Sequence, residues 1–186
     1  MAKQPRPQAQ ALPLGPELSG IYFLSYAGAL KNALHAVKFQ RRKALGRELG
    51  RWFLPSLQAL PLPFDLIVPI PLHWRKRMTR GFNQVELLFE AYVSEHTGYL
   101  PKLLQRRKST PPLFGLGREE RRQVIEGAFS VNAKYLNLLR GKRVLLLDDI
   151  VTTGATVAEA ARVLRAAGAV EVRVLALAYT ALGKKT

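Results

Sequence analysis

Residues 144–156, VLLLDDIVTTGAT, decide how this chain folds. The apolar run 144–147 predicts a buried strand, and a small, hydroxyl-rich turn then opens a helix predicted from Thr156 to Ala167. Further strand-like runs alternate with helical patterns along the chain, at residues 21–26, 65–70 and 172–178. Strands that alternate with helices predict an α/β fold with a central, mostly parallel sheet flanked by helices.

Two carboxylates, Asp148 and Asp149, follow the apolar run, at the sheet edge where open α/β sheets bind their ligands. Carboxylates there can accept hydrogen bonds from two vicinal ribose hydroxyls and hold the water shell of Mg²⁺, which prefers oxygen ligands. Free backbone N–H groups and the helix dipole suit a phosphate at the turn that follows, formed by Thr152, Thr153, Gly154, Ala155 and Thr156. The pattern predicts a site for a sugar that carries phosphates.

A second strand also ends in a charged loop. Pro69 and Pro71 end the strand-like run 65–70, because proline cannot continue a central ladder. A dense set of cations follows, and a helix is predicted from Phe82 to His96. Arginine grips phosphate in bidentate fashion, so this loop suits a pyrophosphate, although charge alone equally describes a solvated basic turn.

The motifs resemble known families. VLLLDDIVTTGAT matches, without a gap, the phosphoribosyl pyrophosphate (PRPP) motif of type I phosphoribosyltransferases. Over about residues 20–180, the chain resembles the ComF family of competence-associated proteins, in the stretches LHAVKF (34–39), IVPIPLH (67–73), RGFNQ (80–84), RKSTPP (107–112) and GAF (127–129). The resemblance implies a type I phosphoribosyltransferase-like domain at residues 21–186, after a Pro-rich lead-in at residues 1–20.

The resemblance also implies roles for single residues. Asp148 and Asp149 would take the ribose hydroxyls and the Mg²⁺ water shell, and residues 152–156 would hold the 5-phosphate. A pyrophosphate loop would be formed by Pro71, Leu72 and His73. A lone histidine beside an aromatic ring is also often structural. Mg²⁺ is expected to arrive with PRPP rather than in a site that the protein builds by itself.

Residues 105–127 have weak periodicity and many charges, which is typical of a functional or mobile loop. By resemblance, this segment is the mobile loop that closes over the site in type I enzymes. Its cations would then face the ligand, namely Arg107, Lys108, Arg118 and Arg122. Closure would exclude water from a reactive sugar.

The formal net charge of +16 and the pI near 10.7 favour a polyanionic partner, nucleic acid first. Basic runs lie at residues 41–43, 75–80 and 140–143. Aromatic rings in basic loops stack on unpaired bases, so the nucleic-acid candidates are Trp74, Arg75, Lys76, Arg77, Arg80 and Phe114. ComF proteins are associated with the uptake and handling of single-stranded DNA, which makes such DNA, a competence helicase and other uptake proteins the implied partners.

The chain has no cysteine, which excludes disulfides and thiolate zinc sites. Many ComF proteins begin with a four-cysteine zinc module, so this chain departs from the family there. No apolar run approaches the roughly 20 residues of a membrane helix, and no membrane insertion is expected. Residues 1–5 lack the apolar segment of a secretory signal, so a cytoplasmic location is the expectation.

Two functions stay open. In the first, the protein binds PRPP as ligand or regulator and handles single-stranded DNA during natural transformation. In the second, it is an active transferase that moves phosphoribose from PRPP to an unidentified acceptor and releases pyrophosphate. The charge and the resemblance favour the first, whereas release of pyrophosphate in the presence of an acceptor would favour the second.

Overall fold

The computed structural model describes residues 7–110 and 117–180. The strands within these residues are β1 Gln10–Ala11, β2 Gly20–Ser25, β3 Leu66–Pro69, β4 Leu104–Arg106, β5 Phe129–Val131, β6 Arg143–Val151 and β7 Glu171–Tyr179. The helices are α1 Gly28–Phe39, α2 Lys43–Gln58, α3 Trp74–Arg80, α4 Gln84–Leu88, α5 Glu90–Val93, α6 Arg118–Ile125, α7 Leu136–Leu139 and α8 Ala155–Ala166, with a 3-10 turn at Ala133–Tyr135.

A five-stranded sheet in the order β1-β2-β7-β6-β3 forms the centre of the molecule. β2, β7, β6 and β3 are parallel, and only β1 runs antiparallel to its neighbour β2. Leu147 of β6 pairs with Pro69 of β3 on one side and with Leu175 of β7 on the other. The carboxyl ends of these three strands therefore meet at one edge of the sheet, and the sheet is mostly parallel as the sequence predicts.

Both faces of the sheet are covered, because successive residues of β6 point to opposite faces and residues 144–147 are all apolar. Val144 and Leu146 pack in a core with α8, here called the α8 face. Leu145 and Leu147 pack in a second core with α1, α2, α4 and α5, here called the α2 face. The apolar run thus anchors the strand between two helical layers.

A second, two-stranded antiparallel sheet is formed by β4 and β5, with Arg106 opposite Phe129. It packs on the α8 face, where Phe129 is buried together with Ile125 of α6. The sequence predicts a strand around Leu100, Leu103 and Leu104, and the observed β4 begins only at Leu104 and lies outside the main sheet. An isolated parallel bridge between Ile67 and Tyr99 connects β3 to the segment before β4, and Leu103 and Leu104 share the core of the α8 face with Leu66 and Val68.

Three local expectations differ from the structure. The spacing of Leu45, Leu49, Trp52 and Phe53 predicts a helix that ends near Pro55, yet α2 continues to Gln58. The carbonyl that proline leaves without its helical hydrogen bond belongs to Arg51, which is exposed. The helix predicted at 82–96 is divided at Phe89 into α4 and α5. The segment 105–127, predicted as a loop, contains helix α6.

The described part of the lead-in, residues 7–20, lies against the domain. Its strand β1 pairs with β2, and Leu12 and Leu18 are buried in the α8 face. The boundary at residue 20 stays a prediction. Across residues 7–110 and 117–180, no helix combines the length and the apolar character that a membrane crossing requires.

Close packing of α2 on α4 depends on two glycines. A Cβ at Gly50 would lie 2.2 Å from the carbonyl oxygen of Leu88, and one at Gly46 would lie 2.6 Å from Cδ2 of Leu87. Glycine in a helix costs about 1 kcal/mol relative to alanine, so these positions favour close approach over helix propensity.

We expect Gly50→Ala to lower the free energy of unfolding, although it improves helix propensity. The new methyl group must displace a backbone carbonyl rather than a flexible side chain, and overpacking of this kind costs about 1–3 kcal/mol. Chemical denaturation measures the change, with Glu48→Ala on the exposed side of α2 as the control. A Gly50→Ala variant at least as stable as the parent would show that α2 and α4 do not touch here.

Candidate functional site

The acid pair lies at the shared carboxyl edge of β3, β6 and β7, buried inside strand β6. Asp148 and Asp149 expose only 7% and 4% of their surface. The sequence predicts that the strand ends at Leu147 and that the acids leave the pleat there, whereas β6 continues to Val151.

A break in the side-chain alternation aims the two acids. Val144 and Val151 are seven positions apart and would point to opposite faces in a regular strand, yet both lie in the same core, so the alternation shifts by one between them. The side chains of the acid pair fold back on the strand: Asp148 Oδ1 accepts from the N–H of Asp149 at 2.9 Å, and Asp149 Oδ1 accepts from the N–H of Ile150 at 2.9 Å. One oxygen of each carboxylate is thereby used locally, and the second can serve an ion pair or a ligand.

Lys38 of α1 neutralises Asp149, with its Nζ 2.5 Å from Oδ2. Burial raises the pKa of Asp148 well above its ordinary 3.8; the charge of Asp149 raises this pKa further, and Lys38 opposes the shift. Two adjacent buried carboxylates therefore share one close cation. The site holds more negative charge than Lys38 can compensate at short range.

Three further cations lie around the acid pair, here called the cation cluster: Lys76, Arg80 and Arg106. Partial burial lowers the pKa of Arg106, and the charge of Asp148 opposes this shift. Partial burial likewise lowers the pKa of Arg80, and the charge of Asp149 opposes this shift. The pKa of Lys76 is lowered by partial desolvation and then by the charges of Arg106 and Arg80. Mutual repulsion within the cation cluster would be relieved by a polyanion.

The turn at residues 152–156, here called the phosphate turn after its predicted ligand, connects β6 to α8. Gly154 adopts a left-handed φ of 81° directly before α8 begins at Ala155. A Cβ there would lie 2.5 Å from Cδ2 of Leu14, so the lead-in packs against this turn. Thr153 Oγ1 accepts from the N–H of Ala155 at 3.4 Å. Glycine is thus required both by the turn and by its packing.

Pro71, Leu72 and His73 continue past the end of β3 beside the acid pair, because Ile70 N–H still donates to the carbonyl of Leu147 at 2.8 Å. His73 is buried, and its Nδ1 accepts from the N–H of Arg75 at 3.4 Å. This contact caps α3, which supports the structural interpretation of the histidine. Asn83, also buried, donates to the carbonyl of Ile70 at 3.0 Å and ties α4 to the same loop.

The predicted mobile segment contributes an arginine that sequence reasoning missed. Arg121 of α6 is buried and donates to Thr152 Oγ1 at 2.8 Å, so α6 contacts the phosphate turn directly. Three of the four cations named from the sequence are described with their side chains. Arg107 donates to Ser130 Oγ, Arg122 pairs with Glu119 at 2.7 Å, and Lys108 is exposed, whereas for Arg118 only its place as the first residue of α6 is described. Their role as a lid stays a prediction.

The nucleic-acid candidates divide over two sides of α3. Trp74, Arg75, Lys76 and Arg77 are exposed, whereas Arg80 is half-buried. Lys76 and Arg80 lie one turn apart and belong to the cation cluster. Arg41 donates to the carbonyl of Thr79, which joins the basic run 41–43 to α3. The run 140–143 precedes β6 and lies at the opposite edge of the sheet. Phe114 falls outside the described residues.

Two cavities touch the phosphate turn. A small one of about 30 Å³ is lined by Asp148 and by residues 150–157. A larger one of about 630 Å³ lies behind the turn, between the lead-in, α6 and α8, and does not reach the acid pair. The chemistry of the acid pair and the cation cluster, rather than cavity size, therefore locates the site.

Three residues of the site carry a signal that sequence reasoning did not use. Lys38 stands in the LHAVKF stretch, and Arg121 stands between two charged neighbours in EERRQ. Arg106 stands beside Arg107 and Lys108, and only the alternation of β4 shows which of these cations turns inward. To identify Arg106 as the inward cation from the sequence, the pairing of β4 with β5 would have to be known.

Comparison with known proteins identifies the type of domain. A family model described as a phosphoribosyl transferase domain matches residues 107–185. DNA utilization protein YhgH of Escherichia coli K12 is 33% identical over 162 residues, which cover 83% of this chain and 69% of that protein. Competence protein F of Haemophilus influenzae is 33% identical over 161 residues, covering 82% and 69%. Competence protein ComFC of Streptococcus pneumoniae is 37% identical over 153 residues, covering 82% of this chain and 64% of that protein.

Solved structures show weaker likeness. Glutamine PRPP amidotransferase from B. subtilis aligns with a TM-score of 0.46 and 22% identity, over 77% of this chain and 30% of that chain. The allosteric regulatory enzyme of purine biosynthesis aligns with a TM-score of 0.45 and 22% identity, also over 77% and 30%. The relatives confirm the predicted family, and the domain model together with the sheet topology confirms the predicted fold class.

We expect Asp148→Asn to raise the free energy of unfolding near neutral pH. Because the pKa of Asp148 is higher in the folded protein than its ordinary 3.8, the wild-type protein loses stability as the pH rises from that value through the folded pKa. Asparagine keeps the acceptor for the Asp149 N–H and carries no charge. The gain should shrink towards zero as the pH falls below about 3, where this side chain is protonated in both the folded and the unfolded wild type.

Asp65→Asn is the matched control, and its expected change in the free energy of unfolding has the opposite sign. Hydrogen bonds from Arg143 lower the pKa of Asp65 to about 2, so Asp65→Asn should reduce stability near neutral pH, and the loss should fade below about pH 4. Denaturation curves at several pH values measure both variants. Equal, pH-independent changes would show that Asp148 is not an electrostatic burden on the fold.

Proposed function

Because the chain belongs to the ComF family of competence and DNA utilization proteins, we propose that it binds PRPP or another phosphoribosyl ligand and handles single-stranded DNA during DNA uptake. We also propose a cytoplasmic location, with a competence helicase or other uptake proteins as partners. The observation that carries the proposal of PRPP binding is the buried acid pair beside the cation cluster at the end of β6.

The charges of this site match the two ends of a phosphoribosyl pyrophosphate. The carboxylates of Asp148 and Asp149 can accept hydrogen bonds from the vicinal hydroxyls of a ribose. A pyrophosphate places its negative charges where the cation cluster now suffers mutual repulsion. Neither a simple sugar nor a simple phosphate uses both halves, which supports a ligand that carries both groups.

The phosphate turn supports the same ligand. α8 has 12 residues, so its N-terminus carries free N–H groups and a developed dipole, and Gly154 lets the backbone approach closely. The hydroxyls of Thr152, Thr153 and Thr156 supply further donors. A 5-phosphate held there would leave the ribose hydroxyls within reach of the acid pair earlier in the same strand.

The donor set fits Mg²⁺ that enters with the ligand. Across residues 7–110 and 117–180, no group of three or more His, Cys, Asp or Glu side chains could hold a metal by itself. Two carboxylates suffice for Mg²⁺, which keeps several waters and completes its shell with substrate phosphates. Asp148 and Asp149 would hold that water shell, and the ion would supply charge neutralisation for the pyrophosphate.

We expect replacement of both acids, Asp148→Asn with Asp149→Asn, to weaken PRPP binding more than tenfold, since each lost charged hydrogen bond costs about 1.5–3 kcal/mol. Calorimetry with and without Mg²⁺ measures the affinity, and the Mg²⁺ dependence should be lost in the variant. Asp65→Asn, at the opposite edge of the sheet, is the control and should bind normally. Unchanged affinity in a folded double variant would remove the site assignment.

The alternative function, an active phosphoribosyltransferase, is favoured by the same cation cluster. Departure of pyrophosphate from the sugar develops negative charge, which Lys76, Arg80 and Arg106 are placed to stabilise. Arg121 on the phosphate turn would couple ligand binding to α6. An acceptor screen for pyrophosphate release decides this point: turnover with any acceptor supports the transferase, and binding without turnover supports a ligand or regulatory role.

Single-stranded DNA binding is supported by how the cations are distributed. Residues 38–43 and 74–86 carry eight cations, Lys38, Arg41, Arg42, Lys43, Arg75, Lys76, Arg77 and Arg80, against one acid, Glu86. The two runs are joined by the contact of Arg41 with Thr79. A continuous basic surface suits the backbone of a polynucleotide without regard to its base sequence.

Removal of charge from this surface should flatten the salt dependence of DNA binding. Each phosphate neutralised on a single strand contributes about −0.7 to the log–log slope, so Arg42→Ala with Arg75→Ala should reduce its magnitude by about 1.4. Arg140→Ala with Lys142→Ala removes the same charge from the opposite sheet edge and should leave the slope unchanged. Equal effects of the two pairs would mean that binding follows net charge alone.

A further inference from the structure

Phe39 is an aromatic ring that the fold leaves open to solvent. It is the last residue of α1, and 65% of its surface is exposed, in contrast to its buried helix neighbours Val37 and Ala36. The ring of His35 lies 4.5 Å away, centroid to centroid, and the guanidinium of Arg80 lies 5.7 Å from its centroid. The ring is thus held in place by neighbours and still offers surface to a ligand.

Other rings nearby are also paired with cations. The guanidinium of Arg75 lies 5.3 Å from the ring of Trp74, which is 56% exposed, and Nζ of Lys43 lies 5.3 Å from the ring of Phe82. These residues form what is here called the aromatic–cation surface: Phe39, Lys43, Trp74, Arg75, Arg80 and Phe82. It offers flat π faces at intervals between positive charges.

The aromatic–cation surface is continuous with the phosphoribosyl site. Lys38, directly before Phe39, pairs with Asp149 at 2.5 Å. Arg80 contacts Phe39, donates to Gln84 Oε1, and lies close enough to Asp149 for that charge to oppose the lowering of its pKa. A ligand stacked on Phe39 would therefore lie beside the ligand of the acid pair.

We propose that Phe39 is a stacking position for a nucleobase at the mouth of the phosphoribosyl site. A base would cover the part of the Phe39 ring that His35 and Arg80 leave exposed, and its attached phosphates would meet the surrounding cations. The inference rests on the proposed function for its neighbouring ligand. The base has two sources: a free base or nucleoside that serves as acceptor, or a base of a single strand that crosses the surface.

Exposed apolar surface by itself does not distinguish Phe39 from other side chains of this region. Met78, on the outer side of α3, is 76% exposed and would serve a protein partner that docks by hydrophobic contact. Stacking requires a ring, so Met78→Ala is the matched control that separates the two kinds of partner. Phe39→Tyr keeps the ring and is the conservative variant.

The test uses the full chain and the fluorescence of 2-aminopurine, which stacking quenches. One arm presents the free 2-aminopurine riboside, and the other presents the same base inside a short oligothymidylate. We expect quenching by the wild-type protein and by Phe39→Tyr and Met78→Ala, and loss of quenching with at least about fivefold weaker binding in Phe39→Ala. Quenching of the oligonucleotide alone identifies a strand as the source, and quenching of both probes identifies a free acceptor as well.

PRPP titration of the same variants separates this inference from the proposed function. Phe39→Ala should bind PRPP as the wild type does, since the ring does not contact the acid pair. A wild-type protein that fails to bind PRPP would refute the proposed function whatever Phe39 does. Three results would overturn the stacking position in a protein that binds PRPP normally. The quenching could be unchanged in Phe39→Ala, it could be absent for both probes, or Met78→Ala could lose it as fully as Phe39→Ala does.

Discussion

Two adjacent carboxylates inside a buried central strand are the constraint on which the rest of this structure depends. A charge removed from water is tolerated only when it is paired, and Asp148 and Asp149 are 7% and 4% exposed. Lys38 from α1 pairs with Asp149, and the charges of Arg80 from α3 and Arg106 from β4 lie near enough to interact with Asp149 and Asp148. This electrostatic requirement acts on the placement of these three elements together with hydrophobic packing. Burial and the charge of Asp149 raise the pKa of Asp148, and Lys38 opposes that shift only in part.

The short helix α3 connects the two activities proposed for the protein. Lys76 and Arg80 belong to the cation cluster beside the acid pair, whereas Trp74 and Arg75 lie on the aromatic–cation surface. His73 caps the start of α3 from the end of β3, so the helix is positioned by the same sheet edge that carries the acids. Arg80 belongs to both sets, so a phosphoribosyl ligand and a nucleic acid would meet at the end of this short helix.

Much of the site could be predicted because its signals are local. The order strand, acid pair, small turn and helix is set by consecutive residues, and side-chain alternation and the left-handed preference of glycine act over a few positions. The inner cation Arg106 could not be told from Arg107 and Lys108, because the choice depends on the pairing of β4 with β5, which are separated by more than twenty residues. The division of the helix at Phe89 and the presence of α6 likewise follow from tertiary packing, since Phe89 and Ile125 are buried on opposite faces of the sheet.

The sequence by itself determined the fold class and the family, because these depend on contiguous motifs with a physical reason for each residue type. The tertiary structure decided which charges meet. Lys38 and Asp149, for example, are more than a hundred residues apart in the chain. Contacts of this kind are created when parallel strands bring their carboxyl ends to one edge and the helices that cover each face deliver their side chains to it. No local pattern encodes that meeting, since its energy arises only when the buried carboxylates and their cations leave water together.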